Sequence, residues 1–284
     1  MLLKSLSTLI VVMSAVPGFG GAIVNLGTAD TFGMLGGTIS NTGGPPGVSV
    51  VNGDVGATIT ITGFPPGIAT GTVYTSPNGP STTVGMAYTD FENAFTTAAG
   101  DGSTQTPAGL AASETFLGGG VYAFPNIPTT TSTAAITLTF DAQNINGAVF
   151  IMQFPGALTI NGPITFDLIN GALASNIYWI VGSPAVPKAM TIDPTNVPIT
   201  WDGNILAGTF TMSANAGPGG SGVLAGTING CVLTVNANTL AGETNINGCT
   251  ATGVVPEPGS AGLFAFGCLL GALGLRRIRS SRQR

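Results

Sequence analysis

Short runs in which threonine or serine alternates with apolar residues most constrain the fold of this chain. Examples are residues 57–62 (Ala-Thr-Ile-Thr-Ile-Thr), 136–140 (Ile-Thr-Leu-Thr-Phe) and 208–212 (Gly-Thr-Phe-Thr-Met). Strand side chains alternate between two faces, so this period of two predicts half-buried β-strands. Turn dipeptides separate the runs: Asn-Gly at 52, 78, 146, 161, 170, 229 and 247, and Asp-Gly at 101 and 202. The spacing predicts one large β domain, either a sandwich or a solenoid, and it is too uneven for a strict repeat.

One segment, residues 81–99, has a helical period instead. Apolar residues recur there at steps of three and four, namely Val84, Ala87, Tyr88, Phe91, Phe95 and Ala98. Ser81 or Thr82 can cap the start, and Gly100 can end the helix. At about 1.5 Å per residue the helix is roughly 28 Å long, which matches about six stacked strands. We expect it to cover an apolar flank of the β domain.

Both ends of the chain are typical of targeting segments. Lys4, a short apolar run and small residues up to Ala22 predict a signal peptide over residues 1–22. At the other end Pro256, Glu257 and Pro258 precede an apolar stretch and an arginine cluster. This order resembles the PEP-CTERM sorting signal of Gram-negative bacteria over residues 254–284, with a transmembrane helix at about 260–275. The resemblance implies recognition by an exosortase-type enzyme; a plain membrane anchor is the alternative.

The remaining domain, residues 23–253, is poor in cations. It has one lysine, Lys188, against eleven carboxylates (the twelve of the chain less Glu257), so its net charge is near −10. Such a surface repels nucleic acid and anionic membranes. The chain has no histidine, which leaves most acid–base and metal chemistry without its usual groups. We expect no cofactor and no metal site.

Two sets of residues remain as chemical candidates. Cys231 and Cys249 would share an oxidising compartment, where a disulfide is the default and a catalytic thiol the alternative. Asp193 and Asp202 could serve as a carboxylate pair for glycoside hydrolysis. Each aspartate also fits a turn, before Pro194 and in Asp-Gly respectively, so we expect no enzyme activity.

A set of segments, taken in order, resembles the microbial ice-binding (antifreeze) protein family. They include 25–29 with Phe32, 52–56, 62–67, the helix with 98–100, 120–124, 148–153, 168–172, 176–182 and 203–207. The resemblance covers about residues 24–240 and implies an irregular right-handed β-helix, a solenoid, with one long helix packed alongside. It also implies a flat face that adsorbs to ice. Residues 214–222 and the two cysteines depart from the usual pattern of the family.

Ice binding needs a flat array of small hydroxyl and methyl groups rather than charges. Threonine suits such a face because its β-branch restricts χ1 and so pre-organises the hydroxyl. Strand alternation predicts outward hydroxyls beside inward apolar residues, with Ile39, Ile59, Ile61 and Phe210 inward. The candidates are Thr38, Ser40, Thr58, Thr60, Thr62, Thr70, Thr72, Thr209 and Thr211.

Two functions fit these residues. The first is an exported protein that adsorbs to ice and inhibits its growth or recrystallisation. The second is a structural or adhesive protein of the extracellular matrix on the same scaffold, which holds polysaccharide or neighbouring cells. In both cases we expect the domain at the cell surface or in the matrix, after transient anchoring in the inner membrane.

Overall fold

The computed structural model describes residues 24–42, 49–74, 82–125, 129–130, 134–193, 199–213 and 224–249. These residues form a mostly-β structure with one α-helix, as predicted. The predicted signal peptide (1–22) and the predicted sorting segment (254–284), with Pro256, Glu257, Pro258 and the expected transmembrane helix at about 260–275, lie outside the described residues. Within the described ranges, no helix is long and apolar enough to cross a membrane.

Nineteen strands and one helix, α1 (Thr83–Gly100), make up the regular structure of the described chain. The strands before and just after α1 are β1 (Phe32–Asn41), β2 (Val50–Val51), β3 (Asp54–Thr62), β4 (Ile68–Ala69), β5 (Val73–Tyr74), β6 (Glu114–Leu117), β7 (Gly120–Ala123), β8 (Thr129–Thr130), β9 (Ile136–Asp141) and β10 (Phe150–Phe154). The later strands are β11 (Leu158–Ile160), β12 (Ile164–Ile169), β13 (Ile177–Val181), β14 (Ala189–Ile192), β15 (Ile199–Asp202), β16 (Asn204–Met212), β17 (Leu224–Asn229), β18 (Val232–Leu240) and β19 (Glu243–Ile246). Short 3-10 turns occupy Gly27–Thr31 and Ala174–Asn176.

The strands form three sheets, and all strand pairs in them are parallel. An eleven-stranded sheet is accompanied by a three-stranded sheet (β12-β9-β6) and a five-stranded sheet (β15-β17-β19-β2-β4). Parallel neighbours exclude tight hairpins, so the turn dipeptides at 52, 146, 161, 170, 202 and 229 carry the chain from a strand of one sheet to a strand of another. At Asp202-Gly203, between β15 and β16, Gly203 has φ of +119°. The Cβ atom of any other residue at this position would lie 2.6 Å from the Trp179 indole nitrogen, which is too close for normal packing.

The eleven-stranded sheet divides into two parts along its longest strands. The register of β1 shifts between Gly36 and Thr38, and that of β16 shifts between Ala207 and Thr209. Before these shifts the first part runs β5-β3-β1-β18-β16-β13-β10-β7. After them the second part contains the ends of β3, β1, β18 and β16, followed by β14, β11 and β8. From β9 to β19 the chain follows a repeated order. It contributes a strand to one of the smaller sheets, then to the first part of the large sheet, and then to the second part.

Helix α1 connects the two edges of the first part of the large sheet. It follows β5, at one edge of the first part, and precedes β6, at an edge of the three-stranded sheet, and β7, at the opposite edge of the first part. Its N-cap is Thr82, whose side chain accepts a hydrogen bond from the Gly85 amide at 3.3 Å. The predicted end differs by one position, because Gly100 is the last helical residue.

Two apolar cores hold these parts together. One lies among the three sheets and includes Phe140, Phe150, Trp179 and Trp201. The other lies between α1 and the first part of the large sheet. The predicted stripe of α1 faces this second core, since Val84, Ala87, Phe91, Phe95 and Ala98 are at most 1% exposed. Tyr88 is half-buried and donates its hydroxyl to the Val235 carbonyl at 2.5 Å.

A disulfide joins Cys231 and Cys249 beside the second core, with Cα atoms 4.6 Å apart. One prediction about the strands is wrong: Ile59 points to solvent and is 62% exposed, whereas Ile61 packs against the first core. The register between β1 and β3 shifts just before Thr60. Such an irregularity changes the phase of the alternation, so a strict period of two does not hold across it.

Candidate functional site

The outward side of the second part of the large sheet carries two rows of small side chains, which we call the hydroxyl face. Strand pairing places the members of each row opposite one another. The first row is Thr60, Thr38, Ala237, Thr209 and Ala189. The second row is Thr62, Ser40, Thr239, Thr211, Thr191 and Thr159. Neighbouring strands lie about 4.8 Å apart, so the second row is roughly 24 Å long.

Buried residues alternate with the hydroxyl face along the same strands. Ile39, Phe210, Met190 and Leu158 lie beneath it and are at most 1% exposed. Asn238, also fully buried, occupies the equivalent position in β18 and donates its side-chain amide to the Leu35 carbonyl at 2.9 Å. Because close-packed interiors deform little, this layer holds the outward rows in fixed positions.

The hydroxyls of the face are available to water. Thr62 is the exception, since its hydroxyl donates to the Ile39 carbonyl at a long 3.4 Å. The other threonine and serine hydroxyls of the two rows make no hydrogen bond to any described residue. Each therefore keeps one donor and two acceptor positions for solvent.

The two rows contain no ionisable side chain, and the other outward surfaces differ from them in cover or in composition. The first part of the large sheet is covered by α1. The outward row of the five-stranded sheet mixes Thr200, Thr227 and Asn245 with Val50 and Ile68. The three-stranded sheet places a carboxylate, Asp167, beside Thr139 and Thr115. In the described chain, long uncharged rows of hydroxyl groups therefore belong to the hydroxyl face.

Six of the nine predicted residues share this face. They are Thr38, Ser40, Thr60, Thr62, Thr209 and Thr211.

The structure separates the other three predicted residues from the rows. Thr58 lies at the register shift of β3 and is half-buried. Thr70 and Thr72 follow β4 of the five-stranded sheet. The Thr70 hydroxyl accepts a hydrogen bond from the Gly53 amide at 2.9 Å, and the Thr72 amide donates to Asp54 at 2.7 Å. These two threonines shape a turn.

Sequence reasoning missed three hydroxyl residues of the second row, namely Thr159, Thr191 and Thr239. Thr159 and Thr191 each stand between two buried apolar residues, as in Leu158-Thr159-Ile160. The same alternation that identified Thr211 was therefore present, over only three or four residues. Thr239 was harder to recognise because a polar residue, Asn238, precedes it.

The carboxylates considered for hydrolysis do not form a pair. Asp193 follows the end of β14, whereas Asp202 ends β15 in another sheet. Burial raises the pKa of the Asp202 carboxyl, and a hydrogen bond from Asn229 at 2.6 Å opposes that rise. This bond begins a chain along one corner, in which Asn247 donates to Asn229 and Asn52 donates to Asn247. Asp202 thus terminates a structural row of amides.

No group of three or more Cys, Asp or Glu side chains that could hold a metal ion occurs within the described ranges. The hydroxyl face is a candidate functional surface because of its own geometry and lack of charge. Hydroxyls at fixed spacing, separated by methyl groups and free of charge, can hold a regular layer of water molecules.

Comparison with known proteins agrees with this geometry. The sequence profile of the ice-binding-like family matches residues 34–247, and that of the PEP-CTERM protein-sorting motif matches residues 254–279. No curated protein matches the chain in sequence.

Several solved structures are similar to the chain. An ice-binding protein from the Antarctic ascomycete Antarctomyces psychrotrophicus is 30% identical, with a TM-score of 0.62 over 78% of this chain and 97% of that one. An ice-binding protein from an Antarctic biological consortium is 25% identical, with a TM-score of 0.60 over 78% and 89%. A glycosylated ice-binding protein from an Arctic yeast, 22% identical, shares the fold with a TM-score of 0.60 over 79% and 94%.

The family profile covers most of the domain, and the PEP-CTERM motif follows directly after it. The resemblance noted from the ordered segments is thereby confirmed, and the chain belongs to the ice-binding-like family.

Proposed function

We propose that this protein is exported, adsorbs to ice through the hydroxyl face and so inhibits ice growth or recrystallisation. The single observation that carries the proposal is the second row, in which six hydroxyl residues from six strands stand in register. A family relationship alone would not select a face. The in-register row, its lack of charge and the free hydroxyls of its members other than Thr62 support the choice of this face.

The physical basis is a surface that orders water before it meets ice. Threonine side chains are stiff at χ1, and the buried layer beneath them is close-packed. Little conformational freedom is therefore lost when the face meets a solid lattice, which lowers the cost of binding. A charged side chain would instead hold its own hydration shell, and the two rows contain none.

We infer that the two parts of the large sheet and the pair of smaller sheets are the three sides of an irregular right-handed β-helix with α1 packed alongside. The parallel pairing and the regular order in which the chain visits the sheets support this solenoid. Parallel strands joined by crossover connections are nearly always right-handed. In this arrangement the hydroxyl face is one side, the helix-covered first part is the second, and the two smaller sheets form the third.

Export follows from the two ends of the chain. We propose that residues 1–22 are a signal peptide, that residues 23–253 are the ice-binding domain, and that residues 254–284 direct the protein to an exosortase-type enzyme. The match to the PEP-CTERM motif supports this sorting and a stage of membrane anchoring. We propose the cell surface or extracellular matrix as the destination, and a non-catalytic role there.

The direct test measures ice affinity and thermal hysteresis of the folded protein. We expect the protein to partition into a slowly growing ice hemisphere and to slow recrystallisation, while a charge-matched unrelated domain stays in the liquid. A folded protein that neither partitions nor slows growth would rule out ice binding. The structural or adhesive matrix role would then be the better interpretation.

A further inference from the structure

Strand β18 has one residue more than its two neighbours where the large sheet passes from its first part to its second. In β1, two residues separate Leu35 from Thr38, the positions that pair on either side of the register shift. Three residues separate their partners, Leu233 and Ala237, in β18. The same mismatch of one residue occurs between β18 and β16. The extra residue makes a bulge in β18, and a regular ladder without the bulge is the competing register.

The competing register would change what β18 contributes to the hydroxyl face. Every residue after the bulge would be displaced by one position against both neighbours. Because strand side chains alternate, Ala237 and Thr239 would then turn inward, and Asn236 and Asn238 would turn outward. Burial of Leu240 at the end of the strand favours the observed register, whereas two outward asparagines favour the other. The composition of this segment therefore does not select one register by itself.

The observed register buries Asn238 in an otherwise apolar layer. Its paired neighbours there are Ile39 of β1 and Phe210 of β16, and Asn238 is fully buried between them. Its side-chain amide donates to the Leu35 carbonyl at 2.9 Å, but its side-chain oxygen has no hydrogen-bond partner within the described ranges. A buried amide that is only half satisfied contributes little to stability. It does provide one specific bond.

That bond spans the bulge. It joins Asn238, after the bulge, to Leu35, the last residue of β1 that pairs with β18 before the shift. It therefore forms only when residue 238 points inward. Gly36 permits the approach, since a Cβ atom there would lie 2.9 Å from the Asn238 side-chain nitrogen. A buried asparagine fixes the register of coiled coils by the same principle, because its hydrogen bond is available in one register and lost in the others.

We propose that Asn238 is a positioning residue for ice adsorption. Its bond to the Leu35 carbonyl selects the bulged register of β18, and with it the residues that β18 presents to ice. Strand β18 supplies the third position of each row, between β1 and β16. In the competing register Asn236, a longer and more flexible side chain, would replace Ala237 in the first row. This inference rests on the proposed ice-binding function.

The register is measured by crosslinking cysteine pairs in the full chain with a short bismaleimide. The pair T38C/A237C reports the observed register, in which these positions are opposite each other. The pair T38C/N236C reports the register without the bulge. Each pair is compared with Asn238 present and with N238S, whose hydroxyl ends one bond too short to reach the Leu35 carbonyl. Loss of one hydrogen bond should move the ratio of the two crosslinks about fivefold toward T38C/N236C.

Ice activity is measured in the full chain without added cysteines, with N236S as the matched control. Asn236 is the other asparagine of β18 and is exposed, so N236S makes the same change two positions away and leaves the bond to Leu35 intact. N238S should lose recrystallisation inhibition in proportion to the fraction of chains in the shifted register, while thermal unfolding shows that it is folded. N236S should lose none.

An unchanged crosslink ratio in N238S would overturn the inference, and so would a shifted ratio with full ice activity. N238T, whose volume is closer to that of asparagine, replaces N238S if that variant unfolds. Unfolding of both would show that Asn238 serves folding rather than register, which also overturns the inference. A wild type without ice activity would instead overturn the proposed function, while the crosslink ratio still decides whether Asn238 selects the register.

Discussion

Replacement of Thr211 by tyrosine should abolish most ice activity without unfolding the protein. Thr211 is the fourth of six residues in the second row, and its neighbours there are Thr239 and Thr191. A tyrosine ring would project roughly 4 Å beyond the threonine methyl and hydroxyl groups, judged from covalent bond lengths. Residues in the row are only about 4.8 Å apart, so a rigid ice surface held off at Thr211 also loses contact with its neighbours.

The size of the loss can be bounded from the row itself. A flat lattice resting on the tyrosine and on one end of the row leaves at least three of the six positions out of contact. If each hydroxyl contributes at least about 0.5 kcal/mol net, the loss is at least about 1.5 kcal/mol, or roughly tenfold in affinity. T211V, which removes one hydroxyl but keeps the β-branch, should cost only about two- to fivefold by the same reasoning.

The assay is recrystallisation inhibition over a concentration series, with thermal unfolding measured in parallel. Thr227 provides the matched control, because it is half-buried in β17, a strand paired on both sides within the five-stranded sheet. T227Y should retain full activity, and both variants should keep their free energy of unfolding within about 0.5 kcal/mol. Retained activity in T211Y, or an equal loss in T227Y, would refute the assignment of the hydroxyl face.

Three further predictions concern stability. F91A should lower the free energy of unfolding by about 3–5 kcal/mol, because Phe91 is fully buried between α1 and the sheet; M86A, on the 47% exposed Met86 of the same helix, is its control in urea denaturation. Replacement of both Cys231 and Cys249 by serine should cost about 3 kcal/mol in the chain-entropy model, since they enclose 18 residues, and reductant should reproduce that loss in the wild type alone. Burial raises the pKa of the Asp202 carboxyl in the folded protein above its ordinary value of 3.8. Between the unfolded-state pKa and the raised folded-state pKa, the folded protein therefore binds more protons than the unfolded chain, and its stability falls as the pH rises through that range. Urea midpoints at pH 4 and pH 7 should therefore show the wild type gaining stability relative to D202N on acidification, and an unchanged difference would contradict the burial argument.

The local elements of this fold could be predicted because each is encoded within a few residues. The stripe of α1 and its Thr82 cap stand in one continuous segment, and the alternation around Phe210 and Ile39 is undisturbed. The phase of β3 could not be predicted. Its register against β1 shifts before Thr60, and Ile59 consequently points outward. That shift depends on the partner strand and leaves no signature in the sequence of β3 itself.

Membership of the hydroxyl face was even less accessible, since it is a property of pairing. Thr60 lies on it because β3 pairs with β1, and Thr70 lies off it because β4 belongs to another sheet. Both threonines look alike in sequence. Thr159 and Thr191 join the second row through the pairing of β11 with β14 and of β14 with β16, strands that are far apart in sequence. A single sequence does not state which of its strands are neighbours.

Completeness of the second row depends on the last strands of the described chain. Strand β1 pairs with β18, so Ser40 meets Thr239 across about 200 residues of sequence. That contact joins the two residues contributed by β3 and β1 to the four contributed by later strands. Strand β19 then fills the position between β17 and β2, and the disulfide closes beside it. Contacts between distant segments form late, because loop closure costs entropy before they stabilise the fold. The continuous row therefore exists only after the whole domain has been synthesised and folded.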